Sequence, residues 1–102
     1  MKLRNAVMTY VYDDTVMPEE IDCRVRLGVG MIDVFYDVGE GNEVCYKGNE
    51  TEAGRFKLEA PTVHGKGSLQ RVSGHLFEGS WVEMGWEGTW SIKLASQDDQ
   101  DE

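Results

Sequence analysis

The sequence predicts an all-β fold, a small antiparallel up-and-down β-barrel of about eight strands, with a two-sheet β-sandwich as the alternative. Three observations carry this. Apolar and polar residues alternate with a period of two in several short runs, most cleanly at Ile21, Cys23, Val25, Leu27 and Val29, and again at Trp86, Gly88, Trp90, Ile92 and Leu94. Residues 65–94 hold all three tryptophans and half of the twelve glycines, an interleaving that suits bent, paired strands and suits a helix badly. No segment shows a helical period, and glycines inside strands let a sheet bend sharply enough to close, which favours barrel over sandwich.

Residues 6–12 are β-branched and aromatic and stop at Asp13 and Asp14, so they read as a first strand followed by a turn segment through Pro18. Glu19 and Glu20 lead into the second strand, which carries its alternation to Val29. Gly28 and Gly30 mark a turn or bulge before a strand at 31–38, in which Ile32, Val34, Tyr36 and Val38 share one face and Met31, Asp33, Phe35 and Asp37 the other. The Gly39-Glu40-Gly41-Asn42 segment is a hairpin turn, with residues 43–47 returning. Residues 48–54 read as a polar connection and 55–60 as a strand closed by Pro61. Residues 64–72 follow as a strand, and Gly65 and Gly67 in it leave room for large neighbouring side chains, for which the tryptophans are candidates. Turns at Ser73-Gly74 and Met84-Gly85 separate strands at 75–83 and 86–95. The domain is thus expected at residues 1–95, with 96–102 an acidic disordered tail.

One internal echo stands out: Tyr46, Gly48, Glu52 and Gly54 are matched 31 residues later by Phe77, Gly79, Glu83 and Gly85. It predicts two equivalent hairpin elements.

The formal charge is −9, from 19 acidic and 10 basic side chains, which argues against a nucleic-acid backbone or an anionic lipid surface as partner. Asp98, Asp99, Asp101 and Glu102 supply four of those charges, leaving −5 on the body. Cys23 and Cys45 are too few for a disulfide framework and read as reduced, packed thiols. With no signal-peptide pattern and no apolar run long enough for a membrane helix, a cytoplasmic location is expected.

Gly65-Lys66-Gly67, Gly74, Phe77-Glu78-Gly79-Ser80-Trp81, Gly85 and Gly88 resemble the aromatic-Glu-Gly-x-Trp core and flanking Gly-x-Gly of MORN repeats. The likeness covers residues 65–90 only, about one and a quarter units. It implies hairpin units that make protein or membrane contacts through a scaffold, of which the acidic charge favours the protein version. Gly79-Ser80-Trp81 and Gly88-Thr89-Trp90 also resemble the Gly-x-Trp motif of lipocalin-like barrels, which implies an interior cavity.

No metal centre, cofactor or catalytic set is expected. His64 and His75 are eleven residues apart on neighbouring predicted strands, far in sequence from the cysteines and without metal-knuckle spacing. Glu78, Glu83 and Glu87 are expected on the solvent face of their strands, and an enzyme using Glu78, Glu83 or His75 on a rim is the least favoured reading. Arg24 and Arg26 share a face with Asp22 and should form cross-strand ion pairs. The candidate binding residues are Tyr46, Trp81, Trp86 and Trp90; aromatics flanking the Met84-Gly85 turn stand where a barrel mouth would be. The first functional expectation is a non-enzymatic protein-binding module that meets its partner through an aromatic mouth or an exposed sheet edge. The second is a carrier or sensor of a small apolar ligand.

Overall fold

The computed structural model describes residues 3–14 and 17–95 and is a closed antiparallel barrel of eight strands in sequence order. The strands are β1 (Leu3–Tyr12), β2 (Glu19–Gly28), β3 (Met31–Gly39), β4 (Asn42–Glu52), β5 (Arg55–Ala60), β6 (Gly65–Arg71), β7 (Leu76–Glu83) and β8 (Trp86–Leu94). Closure is made by β1, which pairs with β2 on one side and with β8 on the other, from Ala6 opposite Leu94 to Tyr12 opposite Gly88. No strand edge is left between them, so the barrel is the outcome and the sandwich is excluded. The expected tail, residues 96–102, lies outside the described residues.

The two-residue period decides which side chains enter the barrel. Ala6 and Met8 of β1, Cys23 and Val25 of β2, Ile32 and Val34 of β3, Val44 and Tyr46 of β4, Phe56, Leu58 and Ala60 of β5, Leu69 of β6, Phe77 and Trp81 of β7, and Trp90, Ile92 and Leu94 of β8 form one buried cluster. Fully burying an aliphatic or aromatic side chain contributes about 1.5–3 kcal/mol, so this cluster is the dominant favourable term.

Several boundaries depart from the sequence expectation. β4 runs on to Glu52 instead of ending at Lys47, because residues 47–52 pair with 55–59 of β5 as a hairpin, with a register shift between Glu50 and Glu52. The turn expected at Gly28 to Gly30 forms, with Gly30 at a positive φ of 72°, but the β2 alternation stops before it, so Val29 is fully exposed in the turn and not inward. A short 3-10 turn, Pro61–Val63, precedes β6, and His64 closes it in the left-handed conformation at φ 53°.

Asp33 keeps the outward parity expected of it yet is only 1% exposed. Arg26, its cross-strand neighbour, donates from Nε at 3.0 Å and Nη2 at 2.7 Å to Oδ2. The guanidinium groups of Arg24 and Arg26 lie 5.9 and 5.4 Å from the Phe35 ring centroid, so this outer patch is a lid of cations over an aromatic ring. Arg24 pairs with Glu43, reaching across β3 to β4.

The 31-residue echo corresponds to real structural equivalence. Tyr46 and Phe77 are both buried inward, and Gly54 and Gly85 both turn the chain with positive φ, 78° and 88°. The two hairpins they belong to, β4–β5 and β7–β8, turn at opposite ends of the barrel.

Candidate functional site

Antiparallel order puts the end of β1, the start of β2, the end of β3, the start of β4, the end of β7 and the start of β8 at one end of the barrel. The inward positions there carry Tyr10 and Tyr12 from β1, Tyr36 and Val38 from β3, Tyr46 from β4, Trp81 and Glu83 from β7 and Trp90 from β8. With Met8 and Ile21 they line a cavity of about 210 Å³ that opens at this end. At the opposite end Ile32, Phe56, Leu69 and Phe77 fill the interior, and Arg71 closes it with its guanidinium 5.4 Å from the Phe77 ring centroid.

Glycines on β6 and β8 make room for the aromatic walls. A side chain at Gly65 would collide with the Tyr46 hydroxyl, one at Gly67 would come within 2.8 Å of the Trp90 ring, and one at Gly88 within 2.9 Å of Trp81. The expectation that Gly65 and Gly67 leave room for neighbouring large side chains therefore holds, with Tyr46 as the occupant beside Gly65 and Trp90 beside Gly67.

Both buried indoles are satisfied: Trp81 Nε1 donates to the Thr89 carbonyl at 3.1 Å and Trp90 Nε1 to the Ser68 carbonyl at 2.9 Å. Their rings are locked by edge-to-face contacts, Trp81 with Tyr12 at 5.2 Å and Trp90 with Tyr46 at 5.1 Å between centroids. Such fixed aromatic walls keep a cavity open, where flexible aliphatic side chains would collapse into it.

Glu83 is the charged group of this cavity. Its Oε1 accepts the Tyr46 hydroxyl at 2.7 Å and the Tyr36 hydroxyl at 3.4 Å. Burial first, and then the Glu83 carboxylate, raises both tyrosines well above their ordinary value, so both remain protonated donors at any physiological pH. Tyr10 is raised by burial and by Glu19, to which its hydroxyl donates at 3.4 Å.

The four sequence candidates divide. Tyr46, Trp81 and Trp90 are buried and line the cavity, while Trp86 is 56% exposed on the rim, packed edge-on against Tyr12 at 5.6 Å. Glu83 was expected on the solvent face, and that expectation fails: it shares the inward parity of Phe77, Gly79 and Trp81, a signal present in the alternation itself. The structure does not assemble Glu78, Glu83 and His75, because Glu78 faces outward and His75 precedes β7 at the closed end while Glu83 ends it at the open one. His64 and His75 are likewise at opposite ends, not side by side on neighbouring strands. Cys23, inside, and Cys45, outside, are both free thiols, and burial pushes Cys23 up to about 12.

No family model matches the chain, and no curated protein matches it. Among solved structures it is similar to one described as a redesigned β-barrel, at 13% identity and a TM-score of 0.60 over 91% of this chain and 90% of that one. That likeness establishes the barrel fold and nothing about a ligand.

Proposed function

We propose that the protein is a non-enzymatic barrel that takes a small, mainly aromatic or apolar molecule into the tyrosine-lined cavity, as a carrier or sensor. The observation that carries this reading is the asymmetry of the interior: one end is filled, while the other keeps about 210 Å³ behind walls held by edge-to-face contacts and hydrogen bonds. An apolar cavity of about 150 Å³ is enough to bind benzene, so a ring with a short substituent fits here. A few fixed polar groups in a mainly aromatic lining are what orient a small ligand. The formal charge of −9 weighs against a nucleic-acid partner, and charged outward residues such as Arg24, Lys47, Lys57 and Lys93 differ from the apolar band of a lipid-facing barrel. The reading needs no metal or cofactor, and the free thiols fit a reducing, cytoplasmic setting.

The test is a fluorescence titration with single-ring aromatic compounds, read on Trp81 and Trp90. Saturable change is expected, and it should disappear when Val38→Phe, a plug that adds no further indole to the signal, fills the mouth from its exposed rim position. A response that survives the plug, or none in the unmodified chain, would defeat the proposal.

A second reading, a protein-binding module, is favoured by the rim itself. Trp86, Met84 and Val38 are exposed together at the open end, and the MORN-like pattern of residues 65–90 leans the same way. It predicts that Trp86→Ala abolishes partner capture while leaving the small-molecule titration unchanged.

A further inference from the structure

Among the described residues that line the cavity, Glu83, entering from the end of β7, is the one carboxylate, and none is a lysine or arginine. Both hydroxyls that reach Glu83 donate to the same oxygen, Oε1, and among the described residues Oε2 accepts no hydrogen bond. Oε2 is not sealed from solvent, so a carboxylate set among aromatic rings keeps one oxygen open to a cation that enters the cavity. The faces of tryptophan and tyrosine rings carry negative potential that attracts the same kind of group.

We infer that the cavity selects a small organic cation, an ammonium group on an apolar body about the size of a benzene ring, with the ammonium at Glu83 Oε2 and the ring against Trp81 and Trp90. This inference rests on the ligand-cavity reading and sharpens it. The ammonium donates to Oε2, which no hydroxyl of the cavity reaches, and keeps its charge against aromatic faces as water leaves. An anion of the same shape would meet Glu83 as a like charge in a site already partly desolvated. The whole-chain charge of −9 acts in the same direction, raising the local concentration of cations and lowering that of anions.

The size of the cavity allows three probes of one shape and different charge: benzylammonium, benzyl alcohol and benzoate, titrated near neutral pH at low salt. The indole N–H resonances of Trp81 and Trp90 report occupancy. Benzylammonium should shift both and saturate at a concentration at least about tenfold below that of benzyl alcohol, and benzoate should shift neither. Added salt should weaken benzylammonium and leave benzyl alcohol unaffected. Glu83→Gln keeps an oxygen acceptor for Tyr36 and Tyr46 but removes the charge, so it should bring benzylammonium to the affinity of the alcohol. Should that variant not fold, the salt dependence of the unmodified chain decides in its place. If benzyl alcohol or benzoate saturates as early as benzylammonium, or the preference survives Glu83→Gln or high salt, cation selection is overturned while the cavity stands. If none of the three moves either indole resonance, both the inference and the cavity reading are overturned.

Discussion

The two ends of this barrel are built from the same repeated pattern and finish differently. In the β4–β5 hairpin, Glu52 of the echo reaches the closed end and stays in solvent, 3.8 Å from Arg55 in an exposed pair of little energetic weight. In the β7–β8 hairpin the equivalent Glu83 reaches the open end, where it accepts two tyrosine hydroxyls inside a cavity. The difference lies in what faces each hairpin: Phe56, Leu69 and Phe77 fill the barrel near the first, whereas Tyr10, Tyr12 and Tyr36 ring it near the second. Hairpin grammar is reused, and the side chains brought across by neighbouring strands decide whether an end is plugged or open.

The largest break in this comparison should come from the plug. Phe77→Ala removes a fully buried ring packed 6.2 Å from Phe56 and under Arg71, and should cost about 3–5 kcal/mol in urea or thermal unfolding. At the open end Tyr46→Phe keeps the ring and loses one hydrogen bond to a carboxylate that retains Tyr36, so about 1–2 kcal/mol is expected, together with altered ligand titration. A Tyr46→Phe chain as destabilised as Phe77→Ala would mean that the tyrosine end is as much a packed core as the other.

Alkali should act on the buried thiol of β2 before the tyrosine end. Burial raises Cys23 to about 12 and lifts Tyr36 and Tyr46 above their ordinary value of 10.0, so between the unfolded and folded values the folded chain keeps protons that the unfolded chain releases. Stability is therefore whole below pH 9, the ordinary thiol value, and falls as pH rises, first through Cys23 and then, above 10, through the tyrosines. The double change Tyr36→Phe and Tyr46→Phe should flatten only the part above pH 10, as seen in unfolding midpoints taken across that range. The smallest effect belongs to the rim: Trp86→Ala should move stability by no more than about 0.5 kcal/mol, because its ring is mostly in water.

Much of this was legible in the residues. The alternation in β2 and β8 assigned the inward faces of Cys23, Val25, Trp90, Ile92 and Leu94, and the echo identified two equivalent hairpins. What could not be read was local in appearance and tertiary in cause. The alternation of β7 gives Glu83 its inward parity, but only the facing ends of β1, β3 and β4 make its surroundings a cavity instead of a wet strand end. Residues 48–52 look like a polar connection because the rim of a barrel is wet even where its backbone is paired. Asp33 looks exposed by parity, and it is buried because Arg26 and Phe35 lie beside it.

The central claim is that ligand enters at the tyrosine end and not elsewhere, and the most direct measurement is the set of intermolecular nuclear Overhauser contacts made by bound benzyl alcohol, a neutral probe that tests the cavity independently of charge. Contacts to the rings of Tyr36, Tyr46, Trp81 and Trp90, with none to Phe56 or Phe77, are predicted. Contacts to Phe56 and Phe77, or to outward residues alone, would contradict it.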